Sequence, residues 1–473
     1  MPFFKNPRTH TSSTRTASKV KKRKRGVPGK INKSVTVNGD NDEEISSDLE
    51  EESFRKLNDS FSEEEDEETA QEKRLKLAKK YLEEIEKEEQ LRLESSEISK
   101  DTIAQRLKAD NLQLAGKLRK CVADEYTGYD SLHTHLFRCK DHKLSITCVV
   151  VSHDDVNIFS GSKDGVIVKW SAVEKKRLAS VPSRSQRSKK REGIVNCLAL
   201  SFDDKFLASG DDDKRVQIWK PDNLELLQTF TSHRDAVTGL AFRLNSHQLF
   251  SVSKDRTVKL WSIDDMCYVE TMYGHMNGVT DVDSMTQERA ITSGGQDCTI
   301  RLWQVAQETQ LVFKGHLGSI DSVKFINESS FFSGGDDGQL CLWSVSRKKP
   351  LCSLQEAHGK QECNGEPNWI SSLATFTNTD LLVSGSCDGF VRLWKCGAGF
   401  KSLTKVFDIP LIGFINALHF SRDGKYLVVA VGQEHRLGRW TRIKEAKNGI
   451  YYIPLDRSTS STGASEPVSK VVA

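Results

Sequence analysis

An all-β fold of seven repeated modules follows from three observations on this chain of 473 residues. Seven tryptophans each stand six residues after an acidic residue: Asp164 and Trp170, Asp213 and Trp219, Asp255 and Trp261, Asp297 and Trp303, Asp337 and Trp343, Asp388 and Trp394, Glu434 and Trp440. Successive tryptophans are 49, 42, 42, 40, 51 and 46 residues apart, near the period of a WD repeat that folds as one four-stranded propeller blade. Four residues before the acid comes Ser160, Ser209, Ser251, Ser293, Ser333 or Ser384, with Ala430 in the last repeat. The prediction is a seven-bladed WD-repeat β-propeller over residues 130 to 456.

Chemistry explains the spacing. A buried indole N–H needs an acceptor, a hydroxyl supplies it, an imidazole orients the hydroxyl, and a carboxylate fixes the imidazole tautomer. Histidines stand upstream of the acid at His142, His233, His275, His316 and His358. Trp170, Trp219, Trp261, Trp303, Trp343, Trp394 and Trp440 are therefore each expected in a structural tetrad. A catalytic triad is the rival reading of His, Ser and Asp, but no enzyme needs several equivalent copies, each ending in a tryptophan. Asp-Gly pairs at 164–165, 337–338 and 388–389 mark the tight hairpins.

Ahead of the propeller the charge is sharply divided. Residues 1 to 40 hold eleven Lys or Arg against one Asp, and residues 41 to 68 hold fourteen acids against two bases. Neither block has the apolar surface to offset chain entropy, so residues 1 to 68, like 457 to 473, are expected to be disordered. Lys21, Lys22, Arg23, Lys24 and Arg25 form a compact cluster suited to nuclear import, and the same cations suit nucleic-acid phosphates. Ser46, Ser47, Ser60 and Ser62 lie among Asp and Glu, as acidophilic kinases require.

Residues 69 to 120 read as a helical arm. Leu75, Ala78, Leu82 and Ile85 form one stripe, Ile103, Leu107, Leu114 and Leu118 another, and Thr69 with Glu72 makes a capping box. Both stripes are narrow and the flanks densely charged, so neither helix buries itself alone: each packs on the propeller wall or frays in solution, or else docks on another subunit or folded RNA.

Two insertions interrupt the repeat. Arg184, Arg187, Lys189, Lys190 and Arg191 fall within nine residues between Trp170 and Trp219, on the face carrying the tetrad histidines. With Lys163, Lys214, Arg215, Lys254, Arg256 and Arg436 from hairpin turns they predict a positive rim around one mouth, interrupted by Asp211, Asp212 and Asp213. The second insertion, residues 359 to 369, holds Trp369, the one tryptophan outside the pattern; it caps a strand or offers a base-stacking surface. Two short runs compete to close the last blade, residues 132 to 139 and 450 to 455. The N-terminal run is the expected closure, since joining the two ends leaves no bare edge.

Eleven cysteines are scattered singly, without C-x-x-C spacing, which predicts free thiols, no metal and no cofactor. No apolar run reaches membrane-spanning length and no secretory core is visible, so a soluble, intracellular protein without membrane or small-molecule partners is expected.

The last repeat departs from the generic pattern, with Phe414 in the His region, Ala430 for Ser, and Gln433-Glu434-His435-Arg436-Leu437-Gly438-Arg439-Trp440. That run, the arm Glu68-Thr69-Ala70-Gln71-Glu72-Lys73 with Leu77-Ala78-Lys79, and the stretches His233 to Phe242, Gln310 to Phe313 and Gly318 to Asp321 resemble the U3 55-kilodalton protein family. These are the WD-repeat proteins of the U3 small nucleolar ribonucleoprotein. The resemblance spans residues 66 to 455. It implies a nucleolar, non-catalytic subunit that joins the B/C box element of U3 small nucleolar RNA on the box C/D core proteins. It also implies work alongside other small-subunit processome proteins in early processing of the small-subunit pre-rRNA. A nuclear protein-interaction adaptor, either a ubiquitin-ligase substrate receptor or a chromatin reader, is the alternative. No tetrad tryptophan is followed by the Asp of a Trp-Asp-x-Arg receptor motif.

Overall fold

Seven antiparallel sheets arranged in a ring are built from residues 126 to 457 in a computed structural model that describes residues 119–181, 193–361 and 365–458, with isolated helical positions at Lys76, Lys79, Lys80, Leu107, Lys108, Asn111 and Leu112. Blade 1 runs through Ile146–Val151, Asn157–Ser162, Ile167–Ser171 and Lys176–Val181, and blades 2 to 6 repeat this inner-to-outer order as far as Leu403–Pro410. Inner and second strands are buried along nearly their whole length, because each sheet is covered on both faces by its neighbours. Their sequences are accordingly continuous apolar runs such as Phe331 and Phe332, both fully buried.

Blade 7 keeps the expected N-terminal closure, through His135–Phe137, and corrects the place of Trp440. The two rival closing runs are both used: Gly449–Arg457 is the third strand, while Tyr126–Tyr129 and His135–Phe137 both pair with its far edge as the outer strand. Because Gly449–Arg457 takes the third-strand place, residues 433 to 448 are a loop, and Trp440 lies on that loop and not in a strand. The second expected helix also stops short of Lys120, which forms a parallel bridge with Thr379. The rest of the helical arm, residues 1 to 68 and residues 459 to 473 lie outside the described residues, while Arg457, expected in the C-terminal tail, ends the third strand of blade 7.

The blades are joined by one recurring device. In six blades the inner strand carries a bulge near its start, at Thr147, Asn196, Thr238, Asp321 and Ser371 in second position and Asn416 in third; in blade 4, Thr280 occupies the equivalent place just before the strand. A bulge re-aims its side chain, here toward the next blade. Thr147 donates to the Val195 carbonyl at 2.5 Å, Asn196 to Val237 at 2.9 Å, Thr238 to Val279 at 2.6 Å and Thr280 to Ile320 at 2.6 Å. Ser371 donates to Ile415 at 2.5 Å, and Asn416 closes the ring on Ile146 at 2.7 Å. Opposite several bulges a glycine admits the neighbour: a Cβ on Gly161, Gly210, Gly334 or Gly385 would stand 2.4–2.8 Å from Val195, Val237, Ile370 or Ile415.

Candidate nucleic-acid interface

Four blades carry the complete tetrad. In blade 3 the Trp261 indole donates to Ser251 Oγ at 2.8 Å, Ser251 meets His233 Nε2 at 2.8 Å, and His233 Nδ1 meets Asp255 at 3.0 Å. Blades 5 and 6 repeat it through Trp343, Ser333, His316 and Asp337, and through Trp394, Ser384, His358 and Asp388. An ionised Asp requires Nδ1–H as donor, which leaves Nε2 to accept from the serine hydroxyl. Burial opposes ionisation of Asp297 and Asp337, yet their histidine hydrogen bonds outweigh it and hold both carboxyls below the usual range. Burial pushes His275 down, keeping it neutral.

In blade 4 the hydroxyl is Thr292 Oγ1, which accepts from Trp303 at 2.8 Å, and not the expected Ser293. The 3-10 turn Gly295–Asp297 lengthens that hairpin by one residue and moves the register. Blade 1 keeps Trp170, Ser160 and His142, while Asp164 caps the backbone N–H groups of Lys143 and Leu144. Blade 2 keeps the Trp219 to Ser209 bond, at 2.9 Å.

Trp440 forms no tetrad. Its second-strand partner would be Ala430, which has no acceptor, and the indole is 63% exposed. It stands edge-on to Trp369, centroids 5.7 Å apart, and tilted against His435 at 5.6 Å. His435 is buried among Trp369, Phe414 and Trp440; burial, reinforced by Arg436 and Lys163, pushes its pKa down to about 3. Its Nδ1 accepts from the Leu437 N–H at 3.2 Å, so the imidazole is a neutral wedge under the exposed indole. A Cβ on Gly438 would lie 2.9 Å from the Trp440 ring, so the indole rests on bare backbone.

The cations expected at this mouth divide. Lys214, Arg215 and Arg256 are exposed on the turns of blades 2 and 3, with Lys214 and Arg256 in left-handed backbone at φ 70° and 68°. Lys143, Arg234 and Lys254 join them. Lys163, expected on the rim, is instead buried: it donates to the carbonyls of His435 at 2.5 Å and Gly438 at 3.1 Å and lies 3.7 Å from Glu434, pinning the blade 7 loop. Arg436 turns inward and donates to the Asp321 carbonyl at 2.6 Å, so it bridges the mouth loop to blade 5 and is not a free rim cation. Arg439 is half exposed and pairs with Glu434 at 3.0 Å. A recess of about 490 Å³ lies between blades 1, 2, 3 and this loop, and Lys254, Arg439, Asp212 and Asp213 are among the residues that line it.

Blades 4 and 5 present other chemistry at the positions equivalent to Lys143 and Arg234. Met276 and Leu317 follow their tetrad histidines, are 78% and 83% exposed, and are held by backbone N–H bonds to Asp297 and Asp337. Trp369 both precedes a strand, its carbonyl accepting from Ser386 at 2.5 Å, and builds the aromatic nest. The nest was signalled in sequence by Trp369 and by the missing hydroxyl at Ala430. Arg184, Arg187, Lys189, Lys190 and Arg191, the cluster Lys21, Lys22, Arg23, Lys24 and Arg25, and Ser46, Ser47, Ser60 and Ser62 all lie outside the described residues. Among the described residues no cluster of His, Cys, Asp and Glu could hold a metal, and no helix is long and apolar enough to cross a membrane.

Residues 133–171, 184–220, 224–262, 266–304, 307–344 and 359–395 match the family model described as WD domain, G-beta repeat. The match omits blade 7, where the tetrad is absent. U3 small nucleolar RNA-interacting protein 2 of Homo sapiens is 53% identical over 397 residues, 83% of each chain. The chain belongs to the U3 small nucleolar RNA-interacting protein 2 family. A solved structure described as U3-55K superposes with a TM-score of 0.67 at 48% identity, covering 69% of this family member and 100% of that chain. Ribosomal RNA-processing protein 9 of Saccharomyces cerevisiae is 25% identical over 464 residues, 77% of this chain and 81% of that protein.

Proposed function

We propose that this chain is a non-catalytic RNA-binding and assembly subunit of the U3 small nucleolar ribonucleoprotein. It acts in the nucleolus, beside the box C/D core proteins and other small-subunit processome proteins, and supports early processing of small-subunit pre-rRNA. The observation that carries the RNA contact is the exposed Trp440 indole, braced by Trp369 and His435, on the same mouth as the exposed cations Lys143, Lys214, Arg234, Lys254 and Arg256. A flat π-face stacks on an unpaired base, and cations neutralise phosphates and position the strand. A non-catalytic role is supported by the tetrads, which occupy histidines, hydroxyls and carboxylates in holding tryptophans.

The test titrates the full chain with U3 B/C element RNA assembled on box C/D core proteins. Trp440→Ala should weaken binding by about 1–3 kcal/mol, and Lys254→Glu with Arg256→Glu should weaken it and flatten its salt dependence. Equal affinity of the native chain for an unrelated stem of the same length would sink the proposal. Met276 and Leu317 support a second reading, protein docking on blades 4 and 5. Crosslinking in cells followed by sequencing of attached RNA separates the two, since a protein-only adaptor returns no U3 RNA.

A further inference from the structure

Six of the seven joints between blades are closed by a hydroxyl or an amide that donates to a carbonyl of the next inner strand. The seventh, from blade 5 to blade 6, has Asp321 at that place, on the same bulge between Ile320 and Ser322. The joint is otherwise built like the others: a Cβ on Gly334 would stand 2.8 Å from Ile370, as one on Gly161 would stand 2.7 Å from Val195. Ile370 therefore approaches blade 5 as closely as its counterparts approach their neighbours, and the residue at the donor's place on the bulge is an acid.

A carboxylate has only acceptor oxygens, and a carbonyl opposite it offers only lone pairs. A protonated carboxyl has one O–H and performs the same donation as Thr147 or Ser371. We propose that Asp321 closes the blade 5–6 joint as a neutral acid donating to the Ile370 carbonyl, which makes this joint, alone among the seven described, responsive to pH.

The surroundings are consistent with this. Asp321 is 6% exposed. Burial pushes its pKa up to about 7, opposed by Arg436 from the blade 7 mouth loop and reinforced by Asp336 and Asp337 of blade 5 and Asp281 of blade 4. Arg436 spends one hydrogen bond on the Asp321 backbone carbonyl and not on its carboxyl. Loss of the proton thus has two consequences: the joint loses its donor, and a new charge appears beneath the guanidinium that ties the mouth loop to blade 5.

The sign follows from linkage. The ordinary carboxyl value is 3.8, so between that value and about 7 the folded chain holds a proton that the unfolded chain has released. Asp321 therefore contributes stability at pH 5 that declines as pH rises and is gone above the folded value.

Urea midpoints of the full native chain, Asp321→Asn, Asp321→Ser and Asp321→Ala are compared from pH 5 to pH 8.5. Asparagine restores the donor used at Asn196 and Asn416, and serine the one used at Ser371. Both should match the native midpoint at pH 5 and exceed it at pH 8, with the gap opening toward pH 7 and level beyond it. Alanine should fall below the native chain at pH 5 and approach it at pH 8. A constant difference across pH, or an asparagine variant weaker than native at pH 8, would overturn the proposal. Should alanine not fold, the asparagine and serine comparisons decide alone. RNA affinity is not read in this assay, so its outcome is independent of the proposed function.

Discussion

Trp343 and Trp440 share a six-residue spacing to an acid and have opposite physical situations. Trp343 is fully buried, stacked on Phe331 at 5.7 Å and bonded to Ser333, so Trp343→Ala should cost about 3–5 kcal/mol through lost contacts and a cavity. Trp440→Ala should leave the thermal midpoint nearly unchanged, since most of the ring already faces water. Calorimetry on both variants checks the contrast, and a large loss for Trp440→Ala would return it to the core. At the opposite mouth His247 bridges Asp203 of blade 2 at 3.0 Å and Asp264 of blade 3 at 2.5 Å. Burial disfavours its charge, but the two carboxylates outweigh it and raise its pKa above the ordinary 6.5. The bridge is then fully present below pH 6.5 and lost as pH rises through the raised value. His247→Ala should cost about 0.5 kcal/mol at pH 5.5 and little at pH 8.5, a modest figure because Asp264 is largely exposed. Equal losses at the two pH values would remove the charge from the account.

Blade 7 is held shut by chain that precedes blade 1. Asp380 of blade 6 accepts from the N–H groups of Val122 at 2.8 Å and Ala123 at 3.0 Å, and Arg119 donates to the Cys396 carbonyl while lying over the Phe400 ring. Asp380→Ala leaves two N–H groups without their acceptor, at about 1–3 kcal/mol each if they stay buried. It should therefore speed proteolysis near Lys120 before the ring itself unfolds, an order that limited digestion followed by mass analysis reads directly. Simultaneous loss of both would show that the latch and ring are one cooperative unit. Elements with a repeated tetrad were legible in the sequence, because a buried indole needs an acceptor and Ser160, Ser209, Ser251, Ser333 and Ser384 supply it at the same spacing. Blade 7 was not, since Ala430 and Phe414 remove the hydroxyl and imidazole and nothing then ties Trp440 to a strand. The register of blade 4 was missed by one residue for a related reason: Thr292 and Ser293 are chemically equivalent in sequence, and only the longer hairpin distinguishes them. The rim cations were legible by residue type but not by direction, and Lys163 and Arg436 are the cases where a buried carbonyl captured the charge.

Across the whole ring one mouth is chemically divided, with cations on blades 1 to 3, the aromatic nest on blade 7 and apolar side chains on blades 4 and 5. Equivalent backbone positions carry Lys143, Arg234, Met276 and Leu317, each with its N–H held by the carboxylate six residues before its blade's tryptophan, so the fold itself does not dictate which chemistry appears. RNA binding through the basic arc makes a prediction that local contacts do not. Each phosphate contact removed should lower the slope of log affinity against log salt by about 0.7–0.9. Lys254→Gln and Arg256→Gln together should thus reduce the slope by nearly twice that amount, with affinities converging on the native value at high salt. Met276→Gln with Leu317→Gln should leave both slope and affinity unchanged, because neither side chain carries charge and neither lies on the basic arc. Filter binding with U3 B/C element RNA across a salt series measures all three chains. A slope change in the apolar-arc variant equal to that of the basic-arc variant would mean that RNA crosses the entire mouth, and that the division of chemistry around the ring does not divide its partners.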